Sequence, residues 1–533
     1  MTSSLPTVSG ADRLPTLDAF RATEQLVDSA VPTVADIAAV EVSDSTLCEH
    51  TALSTACDGI GFHRAAFRGV RHPGCAYRIG EACPIPSGTP YRRSLRDMRP
   101  RLVSPIPAQA RWLAHDPVRA AVMRENDVHS LMVVPLTVNH VILGLVAFYR
   151  RRGSSPFRQA DLRVAARLTQ RAAEVLDARR RELQEQGMGR RFQQALLAQP
   201  PHLTAIEDVN GHVPVNGPPG GWFDVIPLAG ARVGLVAGFC SGSGILAAAA
   251  MSQQKAQVRA FAVQDIDPGE VLTRSFAPRT HACDAQDSPS PAGHCVYVVY
   301  DPVTRRCTAA HMGLARLTVV DADGAQSVAP SAQAPIGAES CEFAEFDVPP
   351  GSLLALSCAS PQEQPQGTSV DKAQPDRADQ GMSSHQSGPR TTSAVILAAR
   401  TRATTPADIA TWDLPNEPSA VADARARTAT QLTSWGLPDL SFTATLVVSE
   451  LVTNAIRYST GPIQLRLIRD HALICEVSDT NHAAPHAREP APSEQSGRGL
   501  SIVAHLTQGY GTRYTTSGKI VWTELGFPAL NSA

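Results

Sequence analysis

The chain has 533 residues, of which 43% are hydrophobic and 18% charged, and its formal net charge is −2. This length is too great for one hydrophobic core and predicts roughly three or four domains. The near-neutral charge argues against a nucleic-acid partner and against binding to an anionic membrane surface. The 11 cysteines form no Cys-x-x-Cys pair, and the sequence shows neither a signal peptide nor a membrane-spanning run. We therefore expect a cytoplasmic protein with reduced thiols and no membrane partner.

The N-terminal part of the sequence predicts a mixed α/β domain. Residues 1–18 are polar and predict a disordered lead, and the domain itself is assigned to residues 19–180. Within it, residues 130–136 and 141–149 have the apolar character of two paired strands. A tight turn at Asn139-His140 is expected between them.

A long helix is predicted to follow these strands. Ser154-Ser155-Pro156 precedes it as an N-terminal signal, and the helix is expected from Phe157 to about Glu185. Residues 181–197 are assigned as a connecting helix. The second half of the domain resembles a GAF domain, through Pro135-Leu136, Phe148-Tyr149-Arg150-Arg151, Pro156-Phe157 and Asp161.

The GAF resemblance implies a sensor that forms a homodimer and binds a small molecule of unknown identity. Several cysteine and histidine side chains could suggest a metal or haem ligand set. Their spacing matches no ligand template, which favours ordinary core and loop positions. These residues are Cys57, His63, His72, Cys75 and Cys83.

Residues 198–400 predict a second, strand-rich α/β domain. Alternating apolar segments at 232–237, 296–300 and 353–356 indicate layered sheets. Residues 361–390 contain almost no apolar side chains and predict a disordered insertion. The domain resembles the SpoIIE-type metal-dependent serine phosphatases, through residues 220–228, 248–251, 300–302 and 335–337.

That resemblance also identifies positions where the phosphatase family carries metal-binding aspartates. This sequence has no carboxylate at any of them: the residues are Gly221, Phe239, Ala359 and Ser393. Asp224 is the one acid nearby, and one carboxylate does not hold two divalent ions. We therefore predict a pseudophosphatase without a Mn²⁺ pair. The alternative is that other acids, such as Asp208, Asp321 or Asp347, rebuild the site.

The C-terminal part of the sequence combines segments that together predict an ATP site. Apolar residues recur at helical spacing around Ser449–Ala455, namely Phe442, Leu446, Val447, Leu451, Ala455 and Ile456. This spacing places Glu450 and Asn454 one turn apart on one polar edge. The Asn454 amide oxygen suits Mg²⁺, and Glu450 can polarise a water or hydroxyl near the γ-phosphate.

Two further segments complete the predicted nucleotide site. Asp479 ends a strand-like run from Leu473, where its carboxylate can accept the exocyclic amino proton of adenine. Gly497 and Gly499 allow a loop to fold against phosphates, and a helix is expected from Leu500. Residues 518–525 are expected to form the final strand.

Residues from about Leu414 to Phe527, within a domain assigned to residues 410–530, resemble the anti-sigma-factor serine kinase branch of the GHKL ATPases. The resemblance implies that Glu450 is the catalytic carboxylate of the N-box, acting as a base, and that Asn454 binds Mg²⁺. It implies ATP contacts from Asp479, Gly497, Arg498, Gly499 and Thr523. Ser496 stands where the family has a further glycine, which implies a stiffer lid.

The combined expectation is a multidomain α/β and α+β protein with a GAF-like sensor, a type-2C-like phosphatase α/β/β/α sandwich and a GHKL ATPase α/β sandwich. These resemblances imply a partner-switching regulator that uses ATP and Mg²⁺. Its implied partner is a STAS-type anti-sigma-factor antagonist, which it would phosphorylate, or a sigma factor. Two alternatives remain open, namely a docking protein without catalysis and an active phosphatase with unrecognised metal ligands.

Overall fold

The computed structural model describes residues 17–47, 60–69, 76–107, 109–197, 201–214, 220–276, 293–321, 323–324, 326–328, 342–359, 394–483 and 499–527. The chain divides into two compact units, Met1–Met188 and Gly189–Ala533. Within the described ranges, no helix combines the length and apolar character that crossing a membrane requires.

The first unit is built on a five-stranded antiparallel sheet. Its elements are α1 (Leu17–Ala30), β1 (Ile37–Ser43), α2 (Asp44–Leu47), β2 (Phe62–Arg68), α3 (Pro90–Asp97), β3 (Arg101–Val103), α4 (Pro117–Glu125), β4 (Val128–Val138) and β5 (Val141–Arg151), and α5 (Gln159–Leu196) begins here. The strand order is β2-β1-β5-β4-β3. Apolar clusters cover both faces, so the sheet is the central layer. Residues 1–16 of the predicted lead lie outside the described ranges, and α1 begins at Leu17.

The β4–β5 hairpin confirms the predicted strand pair and its turn. Asn139 and His140 both have positive φ, 49° and 63°, as the tightest hairpin turns require. The helix prediction was less accurate. Helix α5 begins at Gln159, and the Ser154 hydroxyl donates to Asp36 rather than capping it. The first turn is closed instead by Asp161, whose carboxylate accepts from the Arg158 backbone N–H at 2.7 Å.

Helix α5 also joins two elements that were predicted separately. It runs without interruption for 38 residues to Leu196, so the final helix of the sensor and the connecting helix are one. Near its end, the Gln193 side chain donates to the Gly221 carbonyl oxygen at 2.6 Å. The last turn of α5 thus belongs to the second unit, where this bond holds it.

The second unit begins with a sandwich of two five-stranded antiparallel sheets. One sheet has the order β13-β10-β9-β8-β7 and the other β12-β11-β14-β15-β6. The elements are β6 (Ile206–His212), β7 (Gly221–Pro227), β8 (Val233–Cys240), α6 (Gly244–Ala262), α7 (Pro268–Phe276), β9 (Gly293–Asp301), β10 (Arg306–Met312), β11 (Ala315–Val320), β12 (Gln326–Val328), β13 (Glu342–Asp347), β14 (Leu353–Ala359) and β15 (Ala394–Thr401). Apolar residues fill the space between the sheets, and α6 and α7 pack on the first sheet. The predicted insertion at 361–390 lies outside the described residues.

The rest of the second unit is a five-stranded antiparallel sheet with helices on one face. Its order is β16-β17-β18-β20-β19. The elements are β16 (Ile409–Leu414), α8 (Ser419–Ser434), α9 (Ser441–Tyr458), β17 (Ile463–Arg469), β18 (Leu473–Asp479), α10 (Gly499–Leu506), β19 (Gly509–Thr515) and β20 (Gly518–Leu525). The core lies between this sheet and α8 and α9. The predicted final strand is confirmed as β20.

Candidate functional site

Helix α9 carries two of the predicted ATP-site residues. Its apolar side buries Ala444, Val447, Val448, Leu451, Val452 and Ala455, a set at helical spacing that packs on the sheet. Glu450 and Asn454 lie beside this stripe and are half-buried. The predicted polar edge is therefore present. Phe442 was expected in the apolar stripe but is 81% exposed.

The end of β18 carries the third residue, Asp479. Strand register places Asp479 opposite Lys519 of β20. The Lys519 ammonium donates to Asp479 Oδ1 at 2.9 Å, and the Asn481 backbone N–H donates to the same oxygen at 2.8 Å. Both side chains are almost completely buried. Asp479 is thus an ionic anchor at the strand end, with a lysine partner that the sequence analysis did not identify.

Hydrogen bonds tie the end of α9 to the end of β18. The Ser459 and Thr480 hydroxyls lie 3.0 Å apart, and the Thr480 backbone N–H donates to Ser459 Oγ at 3.3 Å. The Asn481 side chain donates to the Tyr458 carbonyl oxygen at 2.5 Å. These bonds satisfy groups at the helix C-terminus. They also hold together the two elements that carry Asn454 and Asp479.

The predicted glycine loop is described only at its end. Gly499 is the first residue of α10, which packs against α9. Gly497, Arg498 and Ser496 lie outside the described residues. The phosphate-binding role of this loop stays a prediction.

Thr523 is not brought together with the other candidates. It is fully buried, and its hydroxyl lies 3.5 Å from the Cys475 carbonyl oxygen. In the β18–β20 ladder, the Val477–Val521 pair separates it from the Asp479–Lys519 pair. Thr523 therefore lies within the core of the sheet rather than at the Asp479 end.

The sandwich buries apolar atoms at Gly221 and Phe239, two of the positions where the phosphatase resemblance implied a missing metal ligand. Gly221 pairs with Phe239 across β7 and β8, and Phe239 is 3% exposed. A Cβ atom on Gly221 would overlap with Val395 Cγ2 and lie 3.6 Å from Phe239 Cδ2. Ala359 ends β14 opposite Ala394. Ser393 lies outside the described residues.

Asp224 lies on the same strand as Gly221 but projects from its other face, because three positions separate them. Arg259 of α6 binds both carboxylate oxygens, at 2.9 and 3.0 Å. Lys255 lies 3.8 Å away. The hydrogen bond to Asp224 raises the pKa of Arg259. The carboxylate is thus neutralised by cations of the helix layer.

The alternative acids do not assemble into a metal site. Asp208 pairs with Arg400 at 3.3 Å, and the Asp347 side chain is 88% exposed beside Arg306. Asp321 follows the end of β11, whereas Asp208 lies on β6 and Asp347 on β13. Among the described residues, no group of three His, Cys, Asp or Glu side chains is placed to hold a metal ion.

The first unit contains a buried charged cluster that the sequence analysis did not identify. Glu41 Oε1 accepts from Arg64 at 2.9 Å and from Arg119 at 3.1 Å, and Arg119 also donates to Asp116 at 2.6 Å. All these side chains are at least 97% buried. Arg64 and Arg119 border a cavity of about 30 Å³, which has room for about one water molecule.

Of the suggested Cys and His ligands in this unit, two are described. His63 Nε2 lies 2.9 Å from Asp44 Oδ1. Burial raises the pKa of Cys83 to about 12, so its thiol stays protonated and is a poor metal ligand near neutral pH. Cys57, His72 and Cys75 lie outside the described residues.

The helix-free face of the last sheet packs against the sandwich. Ala231 contacts Ile468 and Ile474, and the Gly230 backbone N–H donates to Glu524 Oε1 at 3.0 Å. Beside this contact lies a cleft of about 890 Å³ lined by residues of both domains. The contact joins the two domains of the second unit through apolar surface and a hydrogen bond.

Buried charges lie next to this contact. Glu476 is 5% exposed, and its carboxylate pairs with Arg513 at 3.2 Å and Arg466 at 3.5 Å. Burial alone would lower the pKa of Arg513, but Glu476, together with Asp265 and Asp301 of the sandwich, raises it. Acids from both domains therefore stabilise one guanidinium.

The structure thus comprises a domain with a central five-stranded sheet, a two-sheet sandwich with a helix layer, and a sheet covered by helices on one face. Family models identify each of them. The GAF domain model matches residues 31–176, the stage II sporulation protein E (SpoIIE) model residues 229–359, and the histidine kinase-like ATPase domain model residues 414–524. The chain therefore contains a GAF domain, a SpoIIE domain and a histidine kinase-like ATPase domain, and the expected fold class is confirmed.

Solved structures show similarity to parts of the chain. The RsbU and RsbW domains of a Mycobacterium tuberculosis protein are 18% identical, with 61% of this chain and 94% of that chain covered and a TM-score of 0.31. RsbX in complex with magnesium is 14% identical, covering 38% and 99%, with a TM-score of 0.28. The second GAF domain of DevS from Mycobacterium smegmatis is 16% identical, covering 31% and 99%, with a TM-score of 0.22. A comparison with curated proteins found no match.

Proposed function

We propose that this protein is a cytoplasmic regulator of the partner-switching type, in which the ATPase domain binds ATP with Mg²⁺ and phosphorylates a serine of a STAS-type anti-sigma-factor antagonist. The observation that carries the proposal is the junction of α9 and β18. There, a half-buried Glu450–Asn454 edge is tied to the strand that ends in Asp479. The GAF domain would bind a small molecule and form a homodimer, and would thereby supply the regulatory signal.

The donor set at this junction suits a nucleotide with its metal. Asn454 offers a hard amide oxygen, which is the ligand type that Mg²⁺ takes when most of its other ligands are waters and phosphates. When bound, the ion would neutralise charge on the phosphates. Glu450, one turn earlier on the same edge, would accept the proton of the serine hydroxyl. Asp479 would accept a hydrogen bond from the adenine amino group.

The SpoIIE domain acts as a pseudophosphatase in this proposal. Metal-dependent phosphatases bind their ions through several carboxylates at once. Here Gly221 and Phe239 lie among apolar side chains, and the Asp224 carboxylate is held by Arg259. These contacts favour a domain that serves as a structural partner of the ATPase domain.

Two other functions are compatible with the same domains. In one, the ATPase domain binds ATP without transferring phosphate, and the chain is a docking protein for an antagonist or a sigma factor. In the other, the SpoIIE domain is an active phosphatase with metal ligands among residues that are not described. Transfer of labelled phosphate from ATP to an antagonist separates the proposed kinase from the docking protein.

The first test concerns nucleotide binding. Asn454→Ala is expected to remove most Mg²⁺-dependent ATP binding, measured by isothermal titration of the full chain, because the metal loses its protein ligand. Thr453→Ala is the matched control, since Thr453 is the preceding residue on α9 and is exposed. Equal ATP affinity in Asn454→Ala and the parent would refute the assignment of Asn454.

The second test concerns the SpoIIE domain. With Mn²⁺ or Mg²⁺, the parent chain is expected to release no phosphate from a phosphoserine antagonist or from p-nitrophenyl phosphate. The Asp224→Ala variant serves as the comparison, because Asp224 is the remaining acid near the family's metal positions. Metal-dependent hydrolysis by the parent that disappears in Asp224→Ala would establish the active phosphatase instead.

A further inference from the structure

The Asp479 carboxylate is engaged on one oxygen. Lys519 and the Asn481 backbone N–H both donate to Oδ1, and the Lys519 ammonium also donates to the Asn481 carbonyl oxygen at 3.0 Å. Among the described residues, no donor reaches Oδ2. The Asp479 carboxylate is 98% buried, and two donors hold its Oδ1. Its Oδ2 is left for a partner other than the described residues.

Lys519 is an unusual residue for this position. Its side chain is 5% exposed, and lysine is rarely buried unless its charge is paired. Strand β20 otherwise directs apolar or hydroxyl side chains to this face, namely Val521, Thr523 and Leu525. Removing two charges from water costs more than an apolar pair would. The pair therefore carries a cost in stability that a role in recognition would explain.

The chemistry of the nucleobase supplies such a role. An ionised carboxylate only accepts hydrogen bonds, whereas a protonated one can also donate. Adenine presents an amino donor at the position where guanine presents a carbonyl acceptor. Lys519 and the Asn481 backbone N–H both donate to Oδ1, which leaves Oδ2 as an acceptor that suits the adenine amino group and disfavours the guanine carbonyl.

We propose that Lys519 is a positioning residue for base selection: it holds Oδ1 so that Oδ2 of Asp479 accepts from the adenine amino group and rejects guanine. This inference rests on the proposed ATP binding. Lys519 contacts the Asp479 carboxylate and would not contact the nucleotide. Its replacement should therefore change the selectivity for adenine over guanine and leave the binding of the phosphates unchanged.

The test is nucleotide selectivity in the full chain. ATP, GTP and purine riboside triphosphate, which lacks the amino group, are titrated with Mg²⁺ into the parent, Lys519→Met and Lys519→Arg. We expect Lys519→Met to lower the ATP/GTP affinity ratio about tenfold, as expected for weakening one charge-assisted hydrogen bond. Lys519→Arg keeps the charge and is expected to retain most of the ratio.

Controls separate a role in selectivity from one in stability. Lys255→Met removes another lysine near a buried aspartate, Asp224, in the SpoIIE domain, and is expected to leave the ratio unchanged. If Lys519→Met does not fold, Lys519→Gln replaces it. Purine riboside triphosphate should bind more weakly than ATP, and this loss of affinity should be smaller in Lys519→Met than in the parent. Removing the amino group and removing the lysine charge act on the same contact, so their effects are not additive.

The outcomes distinguish this inference from the function on which it rests. A parent chain that binds neither ATP nor GTP refutes the proposed function. A parent that prefers ATP, with the same preference in the neutral Lys519 variant, overturns the inference alone. In that case Lys519 would serve only the stability of the strand end, which thermal denaturation would show.

Discussion

Replacing Glu41 by glutamine is expected to lower the free energy of unfolding of the GAF domain by about 3–5 kcal/mol, because it leaves buried arginines without their countercharge. Glu41 is shared by Arg64 and Arg119, and all three side chains are at least 97% buried. Calorimetry of the full chain should show the transition of this domain at a lower temperature.

An exposed ion pair in the same domain provides the control. Arg68 and Asp28 lie 3.0 Å apart, but their side chains are 62% and 53% exposed. Asp28→Asn is therefore expected to change stability by less than about 1 kcal/mol. If Glu41→Gln and Asp28→Asn had equally small effects, the buried cluster would not have the structural importance assigned to it.

The second large effect is expected from Gly221→Asp, which restores the family's acidic residue type at one metal position. The new Cβ overlaps with Val395 Cγ2, and the carboxylate would be buried among apolar side chains without a partner. We expect a loss of about 4 kcal/mol or more. The variant should aggregate or unfold in mild denaturant, and it should gain no Mn²⁺-dependent phosphatase activity.

Leu246→Asp is the matched control, because it introduces the same side chain in the same domain. Leu246 is 75% exposed in the first turn of α6, where a negative charge is favourable. A stable Gly221→Asp variant with metal-dependent activity would show that the site can be rebuilt by one substitution. The double variant with Phe239→Asp is likewise expected to be inactive, because binding of the metal pair is shared among several ligands.

The sequence predicted the parts of the site that depend on local periodicity. Two of its patterns involve residues that are close together in the chain. They are the helical spacing that places Glu450 beside Asn454, which is present in α9, and the apolar run that ends at Asp479, which is present in β18. The final strand was predicted correctly at residues 518–525 for the same reason. The prediction for Phe442 was wrong because this residue lies two positions before the fully buried Ala444, which on a helix is about 200° around the axis and so away from the apolar stripe.

The parts that the sequence did not predict depend on contacts between distant segments. Lys519 meets Asp479 only because β18 and β20 pair in one particular register. Glu41, Arg64 and Arg119 lie on two strands and a helix, and no local pattern marks them as partners. The helix start at Gln159 was missed because Ser154 bonds to Asp36, a residue far away along the chain.

The contact between the sandwich and the last sheet has a thermodynamic consequence. Glu476 and Arg513 lie in the ATPase domain, but Asp265 and Asp301 of the SpoIIE domain contribute to the field at Arg513. Separating the domains would remove part of that field and open the apolar contact at Ala231. The folding equilibria of the two domains are therefore linked, and the SpoIIE domain contributes to the cooperativity with which its neighbour unfolds.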